Sequence, residues 1–380
     1  MPMEAAFGIS WYVIMPKIGY DFRAVASKQK SGVETYITQV VAQVPGNMPE
    51  ATFYLFIDNN SKTSDWKGYA AKNIKIIKIP FTKEVLFWNA VKLLVPILGI
   101  DLFHFPLGIM PVRLRCKTII NIHDLTYEFH PEFYQEWEVE LQRTKVPDAA
   151  KNCDEVLTIS ESTKRDVHTK YGIKESKIRV IYPPFLEARG ASTGAPGGVH
   201  QGKDYFLAIG NVQPRKNFTR IVEALAHLPK STKLYIVGKP QDEAELRRID
   251  RLLSKLSLKS RVRITGYVSD EELANLYDGA VALVFTSIYE GFGYPIVEAF
   301  SRGVPVITSR GSSMEEVAGP GAIIVDQNSP ESIASAMSTL LHSEKKRQEL
   351  ISKGNQRLKQ LTKTNFGEEI AKEYRGVLNA

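Results

Sequence analysis

Short apolar runs alternate with amphipathic stretches along the whole chain. FGISWYVIM, ATFYLFI, IKIIKI, DLFHF, KTIINI and EVLTIS occupy the first half, and YFLAI, KLYIV, RVRIT, VALVF, VPVIT and AIIVD the second. Runs that are apolar throughout, separated by sequence able to form helices, fit parallel strands covered by helices on both faces. The class is α/β. The two series are divided by FLEARGASTGAPGGVHQGK, rich in Gly, Ala and Ser and poor in large apolar residues, which reads as a flexible connection. With 380 residues the chain exceeds one ordinary core. The expected organisation is therefore residues 1–185 as one doubly wound domain, 186–203 as linker and 204–363 as a second doubly wound domain. After the last strand, Ser329 to Ala380 reads as at least two helices with breaks near Ser343 and Thr364, and the last, 364–380, is long enough to cross back to the first domain. Two such domains facing each other bring the carboxyl ends of both sheets to one cleft, which suits a two-substrate transfer.

Composition removes several classes. Cys116 and Cys153 are the only cysteines, without a CxxC pair or a nearby histidine, which argues against a disulfide framework or structural zinc and suits a reducing compartment. The first residues lack a basic region and a cleavage-like site, so no signal peptide is expected. The stretch Val85 to Phe105 is broken by Asn89, Lys92, Pro96, Gly99 and Asp101 and falls short of a spanning helix. These features set the expectation of a cytoplasmic protein. A net charge of +7 favours anionic partners without choosing among them.

Four segments carry chemistry. In SIYEGFGYPIVEAFSRGVPVITS, Glu290 and Glu298 flank Gly291, Phe292, Gly293 and Pro295. The arrangement places Glu290 at a strand end, the glycines in the turn and Glu298 in the first turns of a helix. Glycines let backbone N–H groups approach a diphosphate or sugar, and carboxylates suit vicinal hydroxyls. In LAIGNVQPRKNFTRIVEAL a strand ends in Gly210, the loop carries Arg215 and Lys216, and a helix begins near Asn217 or Phe218. Two cations there can neutralise a leaving diphosphate without a metal. In TIINIHDLTYEFHPEFY a strand ends in His123 and Asp124. Near the N-terminus Ser31-Gly32-Val33 opens the helical pattern VETYITQVVAQV.

The spacing from Glu290 to Glu298 with EGFGYP inside it closely resembles the donor site of glycosyltransferase family 4, whose fold is GT-B, two facing Rossmann-like domains around a cleft. The resemblance is most like bacterial mannosyltransferases, through the IHDLTYEFHPEFY segment. It implies that residues 1–185 bind the acceptor and residues 204–363 the nucleotide-sugar donor, that Glu298 holds the donor ribose, that Glu290 faces the transferred sugar with the loop amides, that Arg215 and Lys216 match the family's basic pair, that His123 lies beside the donor sugar, and that Gly32 lets acceptor and phosphate approach. Serine at position 31 departs from the family's commoner double glycine. The segments ISESTKRD and IYPPF resemble strand, helix and hinge elements of the family and are read as structural markers. Carried over, the catalytic candidates are His123, Arg215, Lys216 and Glu290. The donor-binding candidates are Gly32, Gly210, Arg215, Lys216, Gly291, Phe292, Gly293 and Glu298. No metal ligands and no cofactor are expected, because no DxD-like site appears.

The function the resemblance implies is retaining transfer of a hexose, mannose from GDP-mannose, to a glycan or lipid-linked acceptor in cell-surface polysaccharide synthesis. UDP-glucose, UDP-N-acetylglucosamine or a deoxysugar nucleotide stay open as donors, as does a nucleotide-sugar epimerase of the same fold. An NAD-dependent oxidoreductase is disfavoured because no GxGxxG follows a strand, and a nucleic-acid binder because the basic residues are scattered among acidic ones. The segment Lys83 to Leu98, with Phe87 and Trp88, offers an apolar and basic surface for peripheral contact with the inner face of a membrane. Its competing reading is a helix buried against the first sheet.

Overall fold

A computed structural model describes residues 15–26, 32–61, 71–185 and 205–380. The 186–203 connection, Ser31 and all of FGISWYVIM except Met15 lie outside the described residues, as do the first fourteen residues on which the signal-peptide expectation rests. Thirteen strands are described. In the first half they are β1 (Lys17–Asp21), β2 (Thr52–Ile57), β3 (Ile74–Lys78), β4 (Leu102–Phe105), β5 (Lys117–Ile122), β6 (Glu155–Thr158) and β7 (Ile178–Val180). In the second half they are β8 (Tyr205–Ile209), β9 (Lys233–Val237), β10 (Val262–Gly266), β11 (Ala282–Phe285), β12 (Val306–Ser309) and β13 (Ala322–Val325).

The two sheets repeat one topology. The first runs β3-β2-β1-β4-β5-β6-β7 and the second β10-β9-β8-β11-β12-β13. The pairings within both are parallel. Strand order reverses between β1 and β4 in one sheet and between β8 and β11 in the other, and these switch points open crevices at the carboxyl ends of the strands. Central strands such as β5 and β11 are buried on both faces, which is why they read as unbroken apolar runs.

Two strands escaped the reading of apolar runs. β1, KIGYD, is bounded by charge and interrupted by Gly19, yet it lies inside the sheet between β2 and β4, where a Cβ at Gly19 would fall 2.4 Å from the Phe103 ring of β4. The missing side chain is what lets Phe103 pack there. β7 has only three residues and is an edge strand, too short to register as a run.

The chain closes with helices Pro330–His342, Glu344–Leu361 and Phe366–Asn379. The last packs on Gly32–Asn47 of the first half, burying Phe366, Ile370, Ala371, Tyr374 and Val377. It is pinned by Arg375, which pairs with Glu50 at 2.8 Å, and by a buried polar chain. His104 Nε2–H donates to Asn121 Oδ1 at 2.6 Å, so its Nδ1 accepts from the Tyr374 hydroxyl at 2.6 Å, and Asn121 Nδ2 donates to the Tyr36 hydroxyl at 2.9 Å. Burial holds His104 neutral, with a pKa lowered to about 3.

The helix Glu84–Leu98 seats Phe87, Trp88, Val91 and Val95 in the core of the first sheet. Phe87 and Trp88 therefore do not form an outer surface. What faces solvent instead is the opposite stripe, with Val85, Leu93 and Ile97 72%, 67% and 76% exposed. Cys153 is buried, whereas Cys116 is only half-buried. Among the described residues no helix is long and apolar enough to cross a membrane.

Candidate active site

The EGFGYP segment lies in the loop between β11 and the helix Tyr294–Ser301. β11 ends at Phe285, so Glu290 stands five residues beyond the strand, deep in the loop and not at the strand end as the spacing suggested. Gly293 has φ 99°, a left-handed conformation that suits glycine, and Pro295 occupies the first turn that follows.

Glu290 is the centre of a compact charged cluster. Its Oε2 lies 2.7 Å from Arg215 Nη1 and its Oε1 2.5 Å from Lys216 Nζ. Both cations come from a short 3-10 turn, Pro214–Lys216, between β8 and the helix Phe218–Leu225. Arg215 Nη1 also donates to the Tyr289 carbonyl at 2.7 Å, and its own carbonyl accepts from Ile288 N at 2.9 Å. Asn217, at φ 59°, ties the two loops further through its amide to the Thr286 carbonyl at 3.1 Å. Burial alone raises a carboxyl pKa, but the two adjacent cations outweigh it and bring Glu290 down to about 2. For Lys216 burial is the largest influence and leaves its pKa below the ordinary value despite Glu290. For Arg215 burial also pulls down, and the charges of Glu290 and Asp124 reverse it, so its pKa ends above the ordinary value. The cluster holds two cations and one carboxylate out of bulk water, where charge interactions are strong.

The glycines mark where backbones meet. A Cβ at Gly291 would fall 2.2 Å from the His123 carbonyl oxygen, so the loop of the second half lies directly on the end of β5. Gly210, at φ 143°, carries the stem of Lys216 against it, with a Cβ there 2.9 Å from Cδ. Gly32 opens the helix Gly32–Asn47 against the Tyr294 ring, with a Cβ there 3.2 Å from Cε2. His123 directly follows β5. Its Nε2–H donates to the Pro106 carbonyl at 2.8 Å, and its ring meets the Tyr36 ring edge-on with centroids 5.1 Å apart. This fixes the tautomer and leaves Nδ1 as an acceptor, while burial depresses its pKa. The buried chain from Tyr374 through His104 and Asn121 to Tyr36 thus ends against His123.

Arg215, Lys216, Glu290, Gly210, Gly291 and His123 come together. Glu298 stands apart, accepting from the Tyr277 hydroxyl at 2.7 Å, and burial raises its pKa. Phe292 is buried, its ring 6.0 Å from that of Tyr182 and 5.4 Å from that of Tyr294, so only its main chain is available to a donor. Residues missed by reading the sequence include Ser312 and Ser313: Ser312 Oγ accepts from Glu290 N at 3.4 Å, and Ser313 Oγ donates to the Glu290 carbonyl at 2.8 Å. The signal was Gly311-Ser312 after VPVIT, where both residues have positive φ. Among the described residues no group of three or more His, Cys, Asp or Glu side chains could hold a metal.

Comparison with known proteins gives the same picture. Residues 31–185 match the family described as Glycosyltransferase Family 4, and residues 195–357 match Glycosyl transferases group 1. The chain is 26% identical over 286 residues to O-antigen chain mannosyltransferase B of Escherichia coli, covering 72% of this chain and 74% of that one. It is 31% identical over 233 residues to O-antigen chain mannosyltransferase RfbU of Salmonella typhimurium, covering 60% of this chain and 61%, less than two thirds, of that one. Among solved structures, sucrose-phosphate synthase from Thermosynechococcus elongatus superposes with a TM-score of 0.73 at 20% identity, over 96% of this chain and 99% of that one. Anabaena HepE in complex with UDP and glucose superposes with a TM-score of 0.71 at 17% identity, over 95% of this chain and 99% of that one. A paired-Rossmann architecture, a cationic pair facing a carboxylate in the EGFG loop, and family matches across both halves place this chain in glycosyltransferase family 4, as an enzyme of the GT-B fold.

Proposed function

We propose that this glycosyltransferase moves mannose from GDP-mannose to a glycan or lipid-linked acceptor during cell-surface polysaccharide synthesis, with retention of configuration and without a metal. The observation that carries the reading is the Arg215–Lys216–Glu290 cluster at the junction of the two halves. Glycosyl transfer requires the C1–O bond to the diphosphate to break through an oxocarbenium-like state, so stabilising the departing charge is the largest lever. Arg215 and Lys216 take that charge. An arriving diphosphate draws them from Glu290, whose freed carboxylate then accepts from sugar hydroxyls, and His123 Nδ1 accepts from another. Glu298 holds the donor ribose, and the amides of Gly291, Phe292 and Gly293 line the phosphate and sugar. The acceptor oxygen bonds to C1 on the face the diphosphate leaves. The electron pair of the broken bond goes to the leaving phosphate oxygen, and a phosphate oxygen takes the acceptor's proton.

The relatives named as O-antigen mannosyltransferases support mannose as the sugar. UDP-glucose is the second reading, because the HepE complex holds UDP and glucose. A cytoplasmic enzyme acting on lipid-linked acceptors gains from resting on the inner leaflet. The stripe Val85, Leu86, Leu93 and Ile97, with Lys83 and Lys92 beside it, suits an anionic lipid surface.

The test is thermal stabilisation of the purified protein by a panel of nucleotides and nucleotide sugars with EDTA present, since a ligand of the folded state raises the midpoint. A shift with GDP and GDP-mannose, followed by metal-free transfer with retention at C1, is expected. Preference for UDP compounds overturns the mannose assignment. An inverted product overturns the mechanism, and activity that EDTA abolishes and Mg²⁺ or Mn²⁺ restores overturns metal independence.

A further inference from the structure

The segment ESTKRD forms the start of the helix Glu161–Tyr171, which belongs to the first half of the chain. Three residues on one side of this helix touch the loop that carries Glu290 or what lies beneath it. Thr163 Oγ1 donates to the His123 carbonyl at 3.3 Å, the oxygen on which Gly291 rests. Asp166 Oδ2 accepts a short hydrogen bond from the Tyr289 hydroxyl. Lys170 Nζ sits 4.6 Å over the Phe129 ring, and that ring is stacked on Tyr289 with centroids 5.6 Å apart and an interplanar angle of 19°. At the helix start, Glu316 of the second half accepts from the backbone N–H of both Glu161 and Ser162 at 2.8 Å, and from the Tyr182 hydroxyl at 2.9 Å.

We infer that Asp166 is a positioning residue for the donor site, acting through Tyr289 as a latch between the two halves of the enzyme. This rests on the reading of Arg215, Lys216 and Glu290 as the donor site. Tyr289 is joined to that site twice: its carbonyl accepts from Arg215, and it is covalently next to Glu290. A shift of its ring therefore moves both groups relative to His123. The ring is 7% exposed, so without the Asp166 acceptor its hydroxyl would be a buried donor with no partner, a state that drives the loop toward water. The bond joins a helix of the first half to a loop of the second and must break for the halves to part, which ties donor-site geometry to their approach.

The test is a double-mutant cycle on the full-length enzyme with Asp166→Ala, Tyr289→Phe and the pair, together with Asp166→Asn, which keeps an acceptor oxygen. Each of the first two is expected to lower kcat roughly 10- to 100-fold with little change in donor KM, because misplacement by a fraction of an ångström is costly at the chemical step. The pair loses no more than either single variant, and Asp166→Asn recovers most of the loss. Hydrogen–deuterium exchange supplies a readout independent of turnover: residues 286–293 exchange faster in Asp166→Ala and Tyr289→Phe, while the strands of both sheets do not. Losses that multiply in the pair, an unchanged kcat, or unchanged protection of 286–293 each overturn the latch. A wild-type enzyme that transfers from no nucleotide sugar defeats the donor reading instead, and the exchange result still decides whether Asp166 holds the loop.

Discussion

Glu290 is held in place by Arg215 and Lys216, the two cations that the proposed mechanism assigns to the donor's diphosphate. Replacing it by Gln removes the carboxylate that competes with a diphosphate for Arg215 and Lys216, and with it the group assigned to the sugar. Glu290→Gln is therefore expected to bind free nucleoside diphosphate more tightly, by roughly tenfold or about 1.4 kcal/mol, in calorimetric titration, while transfer falls by about 100-fold or more. Weaker nucleotide binding by the variant would show that Glu290 orders the cations and does not compete for them. The same cluster has a pH signature. A carboxyl lowered from 4.5 to about 2 contributes stability that is fully present above its unfolded pKa and is lost as pH falls through the folded one. Acid unfolding of Glu290→Gln should lack that part of the slope between pH 4.5 and 2.

At the scale of elements, the crossing helix Phe366–Asn379 carries an electrostatic conflict at the amino end of β6. Glu155 and Glu373 share Arg179, whose Nε lies 3.6 Å from one carboxylate and 3.4 Å from the other. Burial first, and then the Glu373 charge, raise Glu155 to about 7, with Arg179 opposing them. The native state thus binds a proton that the unfolded chain has already released, and stability falls as pH rises from about 4.5 to 7. Glu155→Gln, a mimic of the protonated form, is expected to raise the thermal midpoint at pH 8 and to change it little at pH 5. Equal effects at both pH values would assign the change to packing. The terminal helix itself was legible as helix-forming sequence with breaks near Ser343 and Thr364. Its docking on Gly32–Asn47 depends on Tyr374 meeting His104, 270 positions earlier in the chain, a pairing that local pattern does not encode.

For the whole molecule, the outward stripe of Glu84–Leu98 separates a membrane-resting enzyme from a freely diffusing one. The full chain is expected to co-sediment with vesicles containing anionic lipid and not with neutral ones, and Leu93→Asp with Ile97→Asp should abolish this at an unchanged thermal midpoint, since both side chains already face solvent. Vesicle binding that survives both changes would remove this helix from the contact. For Phe87 and Trp88 the competing reading, a helix packed on the first sheet, is the one the structure bears out, and a membrane contact through this helix now rests on its other face. Apolar residues cover most of that helix, so periodicity does not say which side packs on the sheet.

The sequence by itself determined the α/β class, the two series of strands, and the motifs around Arg215 and Glu290, because buried parallel strands must be apolar throughout and because glycines and charges in the loops that follow strands are local features. Only the tertiary structure decided how these parts meet. It seats Gly291 on the His123 carbonyl, closes Glu290 onto Arg215 and onto Lys216, the latter across 74 positions, and joins Tyr289 to Asp166 across 123. Such contacts depend on how two separately wound sheets face one another. Each partner alone is an ordinary loop or helix residue, and its role arises when burial removes the water that would otherwise satisfy it.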